Sequence, residues 1–391
     1  LSTSRTVLLT GGRAPATLEL ARILHLAGHR VLMAESFRAH LSRRSRSIAR
    51  SYDVPSPRYE TEAYIERLSD IIRQENVDML VPTCEETFYI ALHREKLALY
   101  CEVFTADKNT LLELHDKYAF IQKAARHGFR TPRTHLVESP SALEMLQKEW
   151  NSTQSLIAKP VYSRFSARVR VCEEPSELLA LSEEVSPSVP WVVQEYIPGV
   201  QMCTYTVAHK GRVVLHAAYR SVYTAGRGAT IYFRPAFVPE LAGQVERFVQ
   251  ETGFHGQLAF DFIEEEGSGE FVVLECNPRL TSGIHLFSGC PEVACAWLGL
   301  TDQVLVPHAD AAAMLGLAMV LYGLPRVRSH SQWRAWRAAV AEAQDVIWRA
   351  DDPRPFGQQF VSYAALAVRA WRLGTSMMAA STDDIEWSVR P

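Results

Sequence analysis

The order of hydrophobic and polar positions divides the chain into stretches of different period. Thr6–Thr10 is a short apolar run that stops at Gly11–Gly12, as a buried strand and tight turn do. Leu18, Ala21, Ile23 and Leu24 then recur at helical spacing over residues 16–27, Gly28 closes the helix, and residues 29–34 are apolar again. Strand, helix and strand in so short a span predict a βαβ unit on a parallel sheet, with a later strand at residues 77–82. Further on, residues 204–209 and 212–219 flank Lys210–Gly211 and predict a hairpin. A second hairpin is predicted for residues 256–262 and 271–279 around the acidic, Gly-rich turn 264–270. Beyond residue 300 the spacing predicts helices at 311–324, 331–348 and 358–373, a turn at 351–355, and a fraying end from 379.

The second hairpin carries the candidate chemistry. Glu275 and Asn277 stand at i and i+2 and share one face of a strand. If the arms pair, Asp261 joins them. Two carboxylates and an amide oxygen form a hard, all-oxygen corner suited to Mg²⁺ with a nucleotide triphosphate. Arg279, two residues on, adds a cation where a phosphoryl group would develop charge.

Composition narrows the class. At 391 residues, with 47% hydrophobic and 22% charged side chains, the chain reads as a globular enzyme of two or three domains. A formal net charge of −3 gives no reason to invoke nucleic acid. Seven scattered cysteines, with no C-x-x-C pair, read as free thiols of a reducing compartment. Thr6–Thr10 is too short for an export signal, and the run 311–324 is too short for a membrane span. The expected location is the cytoplasm.

The set Asp261, Glu275, Asn277 and Arg279 resembles the magnesium-binding signature of the ATP-grasp superfamily, of the carboxylate–amine ligase and carbamoyl-phosphate-synthetase-like type. That resemblance implies an α/β protein in three parts. A Rossmann-like domain spans residues 1–115, an ATP-grasp α+β nucleotide domain 116–300, and a mostly helical extension 301–391. It also implies ATP and Mg²⁺ (or Mn²⁺), and assigns roles. Lys117, after the helix-starting Asp116, is similar to the first cation that reaches ATP phosphates. Lys159 ends an apolar strand, where a charge is not buried alone, and resembles the second. Residues 191–199 resemble the adenine hinge, with Gln194, Glu195 and Ile197 near the base edge. Gln201 stands where a ribose-binding Glu is common, and an amide can still bond a diol. The loop 162–168 takes the place of the phosphate flap but contains no glycine.

Other positions admit two readings. Gly11–Ala16 lacks G-x-G-x-x-G spacing, so a dinucleotide site with Glu35 on the ribose is rejected. Glu85 and Glu86, just beyond residue 82, either hold a substrate amine or sit at a helix N-terminus for dipole reasons. Arg38, Arg43, Arg44, Arg46 and Arg50 form a solvated basic face or receive an anion. Arg220 is a candidate anion clamp, and residues 224–230 form a small-residue loop able to close over a site. Thr281 and Ser282 fall near an acceptor pocket, while His285 reads as packed rather than catalytic.

The expected function is an ATP-dependent ligase that activates a carboxylate as an acyl phosphate and passes it to an amine. Its partners are small molecules, in a homodimer. Activation of bicarbonate, or a nucleotide-binding regulatory protein without turnover, are the alternatives.

Overall fold

The computed structural model describes residues 4–150, 155–162, 169–225 and 229–387. The first part alternates β1 (Thr6–Thr10), α1 (Pro15–Leu26), β2 (Arg30–Glu35), β3 (Arg50–Asp53), α2 (Thr61–Glu75), β4 (Met79–Val81), α3 (Glu86–Leu92), α4 (Arg94–Ala98), β5 (Glu102–Val103) and α5 (Lys108–His115). The strands form one parallel sheet in the order β3-β2-β1-β4-β5. Helices cover both faces, which is why β1 is apolar on both sides. Val7 and Leu9 pack toward Leu20 and Leu24 of α1. Leu8 and Leu32 pack toward Ile65, Leu68 and Ile72 of α2. Gly11 turns the chain out of β1 at φ +71°, where a Cβ would meet Thr83 Oγ1 at 2.5 Å, so the turn admits only glycine.

Next come α6 (Lys117–Arg126), β6 (Thr134–Val137), α7 (Pro140–Glu149), β7 (Leu156–Pro160), β8 (Arg170–Cys172) and β9 (Trp191–Glu195), the strands forming an antiparallel sheet in the order β6-β9-β7-β8. They are followed by β10 (Gly199–His209), β11 (Arg212–Arg220), β12 (Thr224–Ala225), β13 (Ala229–Thr230), β14 (Tyr232–Phe233), α8 (Pro239–Thr252), β15 (Gly256–Glu265) and β16 (Phe271–Asn277). A second antiparallel sheet has the order β11-β10-β15-β16. The expected hairpin turn forms with both Lys210 and Gly211 at positive φ. One face of this sheet buries Met202, Phe260, Phe262 and Val273 against Phe120 of α6 and Phe248 of α8. The strand period leaves the opposite face to carry Gln201, Cys203, Asp261, Glu275 and Asn277.

After α9 (Ala294–Leu298) the chain forms β17 (Ala313–Met314), α10 (Gly316–Ala318), α11 (His330–Glu342), β18 (Gln344–Asp345), α12 (Arg354–Leu373) and α13 (Met377–Ala380). Here the structure departs from the sequence expectation in three places. Residues 311–324 are not one helix: Ala313–Met314 pairs with β14 and β18, because a short apolar run suits a buried strand as well as a helix. The helix expected to reach 348 stops at Glu342, where Asp345 Oδ1 accepts from Ile347 N at 2.7 Å and Trp348 N at 3.0 Å and turns the chain. The end does not fray over 379–387, because Asp384 is tied to Arg13 and Trp387 N donates to Glu85 Oε2 at 3.0 Å. Among the described residues no helix is long and apolar enough to cross a membrane.

Candidate active site

The hairpin β15–β16 brings the acids together directly. Asp261 stands opposite Glu275, and Asn277 opposite Ala259, so all three share a face. A bulge between Asp261 and Phe262 absorbs Leu274 and restores the apolar face beyond it. Asn277 Nδ2 donates to Asp261 Oδ2 at 3.2 Å, and Arg279 Nη2 donates to Asn277 Oδ1 at 2.9 Å. The corner is thus pre-aligned by its own hydrogen bonds.

Two lysines come from elsewhere in the fold. Asp116 caps α6, accepting from Tyr118 N and Ala119 N at 2.9 Å, and this fixes Lys117 as the first residue of the helix. Lys117 Nζ lies 4.0 Å from Glu275 Oε2 and donates to Val161 O at 3.3 Å. Lys159, on β7, is 7% exposed, and it is not an edge residue: β7 lies between β8 and β9.

The charges of this group are interdependent. Burial pushes the Asp261 carboxyl up to about 7, helped by the negative charge of Glu275. Burial also pushes Glu275 up, but Lys117 and Lys159 more than offset it and leave it below its ordinary value. Burial lowers the Lys159 ammonium to about 8, against the pull of Glu275 and Asp261. Two facing carboxylates that cannot both stay charged without a further cation are a site that a divalent metal fits, and every donor is oxygen. Among the described residues no three His, Cys, Asp or Glu side chains form a metal-holding group. The third oxygen such a metal would meet is Asn277 Oδ1, which here accepts from Arg279 Nη2.

The hinge residues occupy the turn from the first antiparallel sheet to the second. Gln194 is buried and donates from Nε2 to Thr134 Oγ1 at 2.9 Å; Glu195 Oε1 accepts from Arg133 N at 3.0 Å. Ile197 is partly buried between β9 and β10. Gln201 and Ser282 both line a cavity of about 520 Å³ that contains Asp261, Glu275, Asn277 and Arg279. Two expected substrate residues are not brought there. Glu85 is buried beside α3, with Oε2 engaged by Trp387 N. Arg220 is half exposed and donates to Glu264 Oε2 at 2.6 Å. Glu86 Oε1 accepts from Thr10 Oγ1, Thr83 N and Cys84 N, a structural role within the sheet edge. Arg43 pairs with Asp53, and Arg50 with Glu75. His285 is packed, 3.6 Å from Glu19. Residues 163–168 and 226–228 of the two loops lie outside the described residues.

The cavity wall also includes residues that sequence reasoning passed over. Arg13 and Phe37 reach it from the parallel domain, Cys203 from β10, and Gln359, Ser362, Tyr363, Leu366 and Ile385 from the C-terminal region. The last group had a legible signal: Gln358, Gln359 and Ser362 form a polar stripe at helical spacing on a largely apolar helix, and all three are buried.

These features define an α/β protein in which a parallel domain and two antiparallel sheets converge on an acidic, lysine-flanked corner. Residues 114–283 match the family model of the ATP-grasp domain. The carbamoyl phosphate synthase arginine-specific large chain of Cutaneotrichosporon cutaneum is 25% identical over 261 residues, covering 62% of this chain and 22% of that one. The chain therefore spans about a fifth of the length of the curated relatives it matches. N5-carboxyaminoimidazole synthetase from Staphylococcus aureus, complexed with ADP, shares the fold at TM-score 0.63 and 14% identity, over 83% of this chain and 86% of that one. The L-amino acid ligase from Bacillus licheniformis does so at TM-score 0.55 and 14% identity, over 75% and 70%.

Proposed function

We propose that this protein is an ATP-dependent carboxylate–amine ligase. The observation that carries the reading is the joining of Asp261, Glu275, Asn277 and Arg279 to one end of a cavity, with Lys117 close against Glu275. A substrate carboxylate oxygen attacks the γ-phosphorus of ATP and ADP leaves. An amine nitrogen then attacks the acyl carbon, phosphate departs, and the amine proton goes to solvent. Lys159 and Lys117 hold phosphate oxygens, and Arg279 faces the charge that develops on the transferring group. Mg²⁺, or Mn²⁺ on the same oxygen donors, held by Asp261, Glu275 and Asn277, would neutralise the two carboxylates and draw charge from the phosphoryl oxygens. The backbone around Glu195 and Ile197 meets the adenine edge, and Gln201 the ribose. No protein nucleophile is required, since positioning and electrostatics supply the rate. A homodimer in the cytoplasm, with its cysteines as free thiols, completes the reading.

Activation of bicarbonate is a second reading, favoured by the similarity to a carbamoyl phosphate synthase chain. The deciding experiment is ADP and phosphate release with MgATP across a panel of carboxylic acids and amines, singly and in pairs. Release that needs both partners, with a product mass equal to their sum less water, is expected. Release with bicarbonate alone would replace this reading by the second.

A further inference from the structure

The cavity has two ends of different chemistry. At one end stand Asp261, Glu275, Asn277 and Arg279. The other is walled by Phe37 and Leu41 beside the parallel sheet, by Ile347, and by Tyr363, Leu366 and Ile385 of the C-terminal region. These last three lie beyond the segment that matches the ATP-grasp family, residues 114–283.

The C-terminal wall is fixed by polar bonds rather than laid over the cavity. Ser362 Oγ donates to Ala39 O, and Gln358 Nε2 donates to the same oxygen at 3.2 Å. Arg13 Nη1 donates to Ser381 O at 2.8 Å and to Asp384 Oδ1 at 2.7 Å, and Arg58 N donates to Asp384 O at 3.1 Å. Gln358 and Ser362 of α12 are spent on this attachment, Gln359 donates to Phe356 O of its own helix, and Leu366 faces the cavity.

The same bonds set the charge at that end. Arg13 lines the cavity, but its guanidinium is bonded to Glu35, Ser36, Ser381 and Asp384, so its charge is already met within the fold. A substrate carboxylate gains nothing there and is drawn to the end that carries Arg279. Beside the uncharged polar groups of Gln359, Ser381 and Thr382, what the far end offers is apolar contact. A volume of about 520 Å³ is also far more than a bicarbonate ion fills, and falls among pockets that enclose an organic ligand.

We propose, resting on the ligase reading above, that the C-terminal region supplies the specificity pocket for the acid substrate. That acid carries a bulky apolar side chain, branched or aromatic. Its carboxylate lies at the Asp261–Arg279 end and its side chain against Leu366, Ile385 and Phe37. Tail residues outside the family segment thus choose the substrate, while the hairpin activates it.

The test measures binding of acetate, 3-methylbutanoate and 3-phenylpropanoate to the full chain with MgADP present, by calorimetry. Affinity is expected to rise at least tenfold along the series, since each methylene in an apolar pocket is worth roughly tenfold or more. Leu366→Trp fills the far end and is expected to weaken 3-phenylpropanoate at least tenfold while leaving acetate and ADP unchanged. Ile385→Ala opens a gap and should weaken the same acid severalfold; it decides the matter if Leu366→Trp loses ADP binding and so is misfolded. Flat affinity along the series, no binding of the bulky acids, or unchanged affinity in the folded variants overturns the proposal. ADP release in the paired-substrate assay reports separately on the ligase reading. Size-selective binding without release would sink that reading and keep the pocket; release indifferent to size would do the reverse.

Discussion

Replacing Arg13 with leucine removes the cation that ties the C-terminal end to the parallel domain. In the native chain its guanidinium donates to Glu35 Oε1 at 3.1 Å from Nε, to Asp384 at 2.7 and 2.9 Å, to Ser36 Oγ at 2.8 Å and to Ser381 O at 2.8 Å. Glu35 and Asp384 are 3% and 4% exposed, so water cannot replace what is lost. Breaking one partner out of a buried ion group costs about 3–5 kcal/mol. With Glu35 stranded and Asp384 left to Arg369, 3.1 Å away, a loss within that range is expected, against about 5–15 kcal/mol for a typical domain. The loss should also depend on pH. Burial pushes both carboxyls up, but Arg13 holds them below their ordinary values, so the native pair contributes stability above pH about 4 and loses it in acid. Without Arg13 burial prevails at Glu35 and its value rises, while Arg369 and Ser36 still hold Asp384 down. Glu35 in the variant then folds best protonated and costs stability as pH climbs from about 4 toward its raised value. The deficit must therefore be larger at pH 8 than at pH 5. Urea unfolding at both pH values measures it, and amide exchange over residues 381–387 locates it. A variant within about 1 kcal/mol of wild type at pH 8, or a deficit independent of pH, refutes the reasoning.

Three further outcomes follow from the site and the core. Glu275→Gln should cut magnesium-dependent turnover at least about a hundredfold while the circular dichroism is unchanged, and wild-type rates would remove Glu275 from the metal corner. Lys159→Ala should raise the KM for ATP or lower kcat by about tenfold or more, the value of a charge-assisted bond; unchanged kinetics would exclude a phosphate contact. His216, bonded to Thr206 Oγ1 at 3.0 Å, is pushed down to about 4 by burial, so it folds neutral. Its stabilisation is complete above pH about 6.5 and is lost as pH falls toward 4, amounting to about 2 kcal/mol at pH 5. His216→Gln should flatten the acid limb of the unfolding curve by that amount, and an unaltered slope would refute the assignment.

Local signals served the parts of the fold whose partners are close in the chain. The βαβ unit, the Lys210–Gly211 hairpin and the Asp116 cap each need only a few neighbouring residues, and each forms within a residue or two of expectation apart from longer strand ends. The acidic corner was legible for the same reason. Asp261 and Glu275 belong to one hairpin, so period two and a short turn nearly dictate that they face each other. Glu85 shows the limit of such reasoning. Its position at the end of a strand was read correctly, but what engages it is Trp387, about three hundred residues later.

The C-terminal region shows the same division more sharply. Its sequence specifies the long helix α12 and, in Gln358, Gln359 and Ser362, a polar stripe along it. Nothing in that stripe says that it turns inward onto Ala39, or that Asp384 finds Arg13. Helix and strand periods are short-range, because backbone geometry repeats every two or 3.6 residues. A cavity is closed by side chains whose separation along the chain carries no information about their separation in space. Residues 256–279 therefore disclosed the chemistry of the corner, whereas only the folded chain decided that Phe37, Leu366 and Ile385 would meet across the cavity beside it.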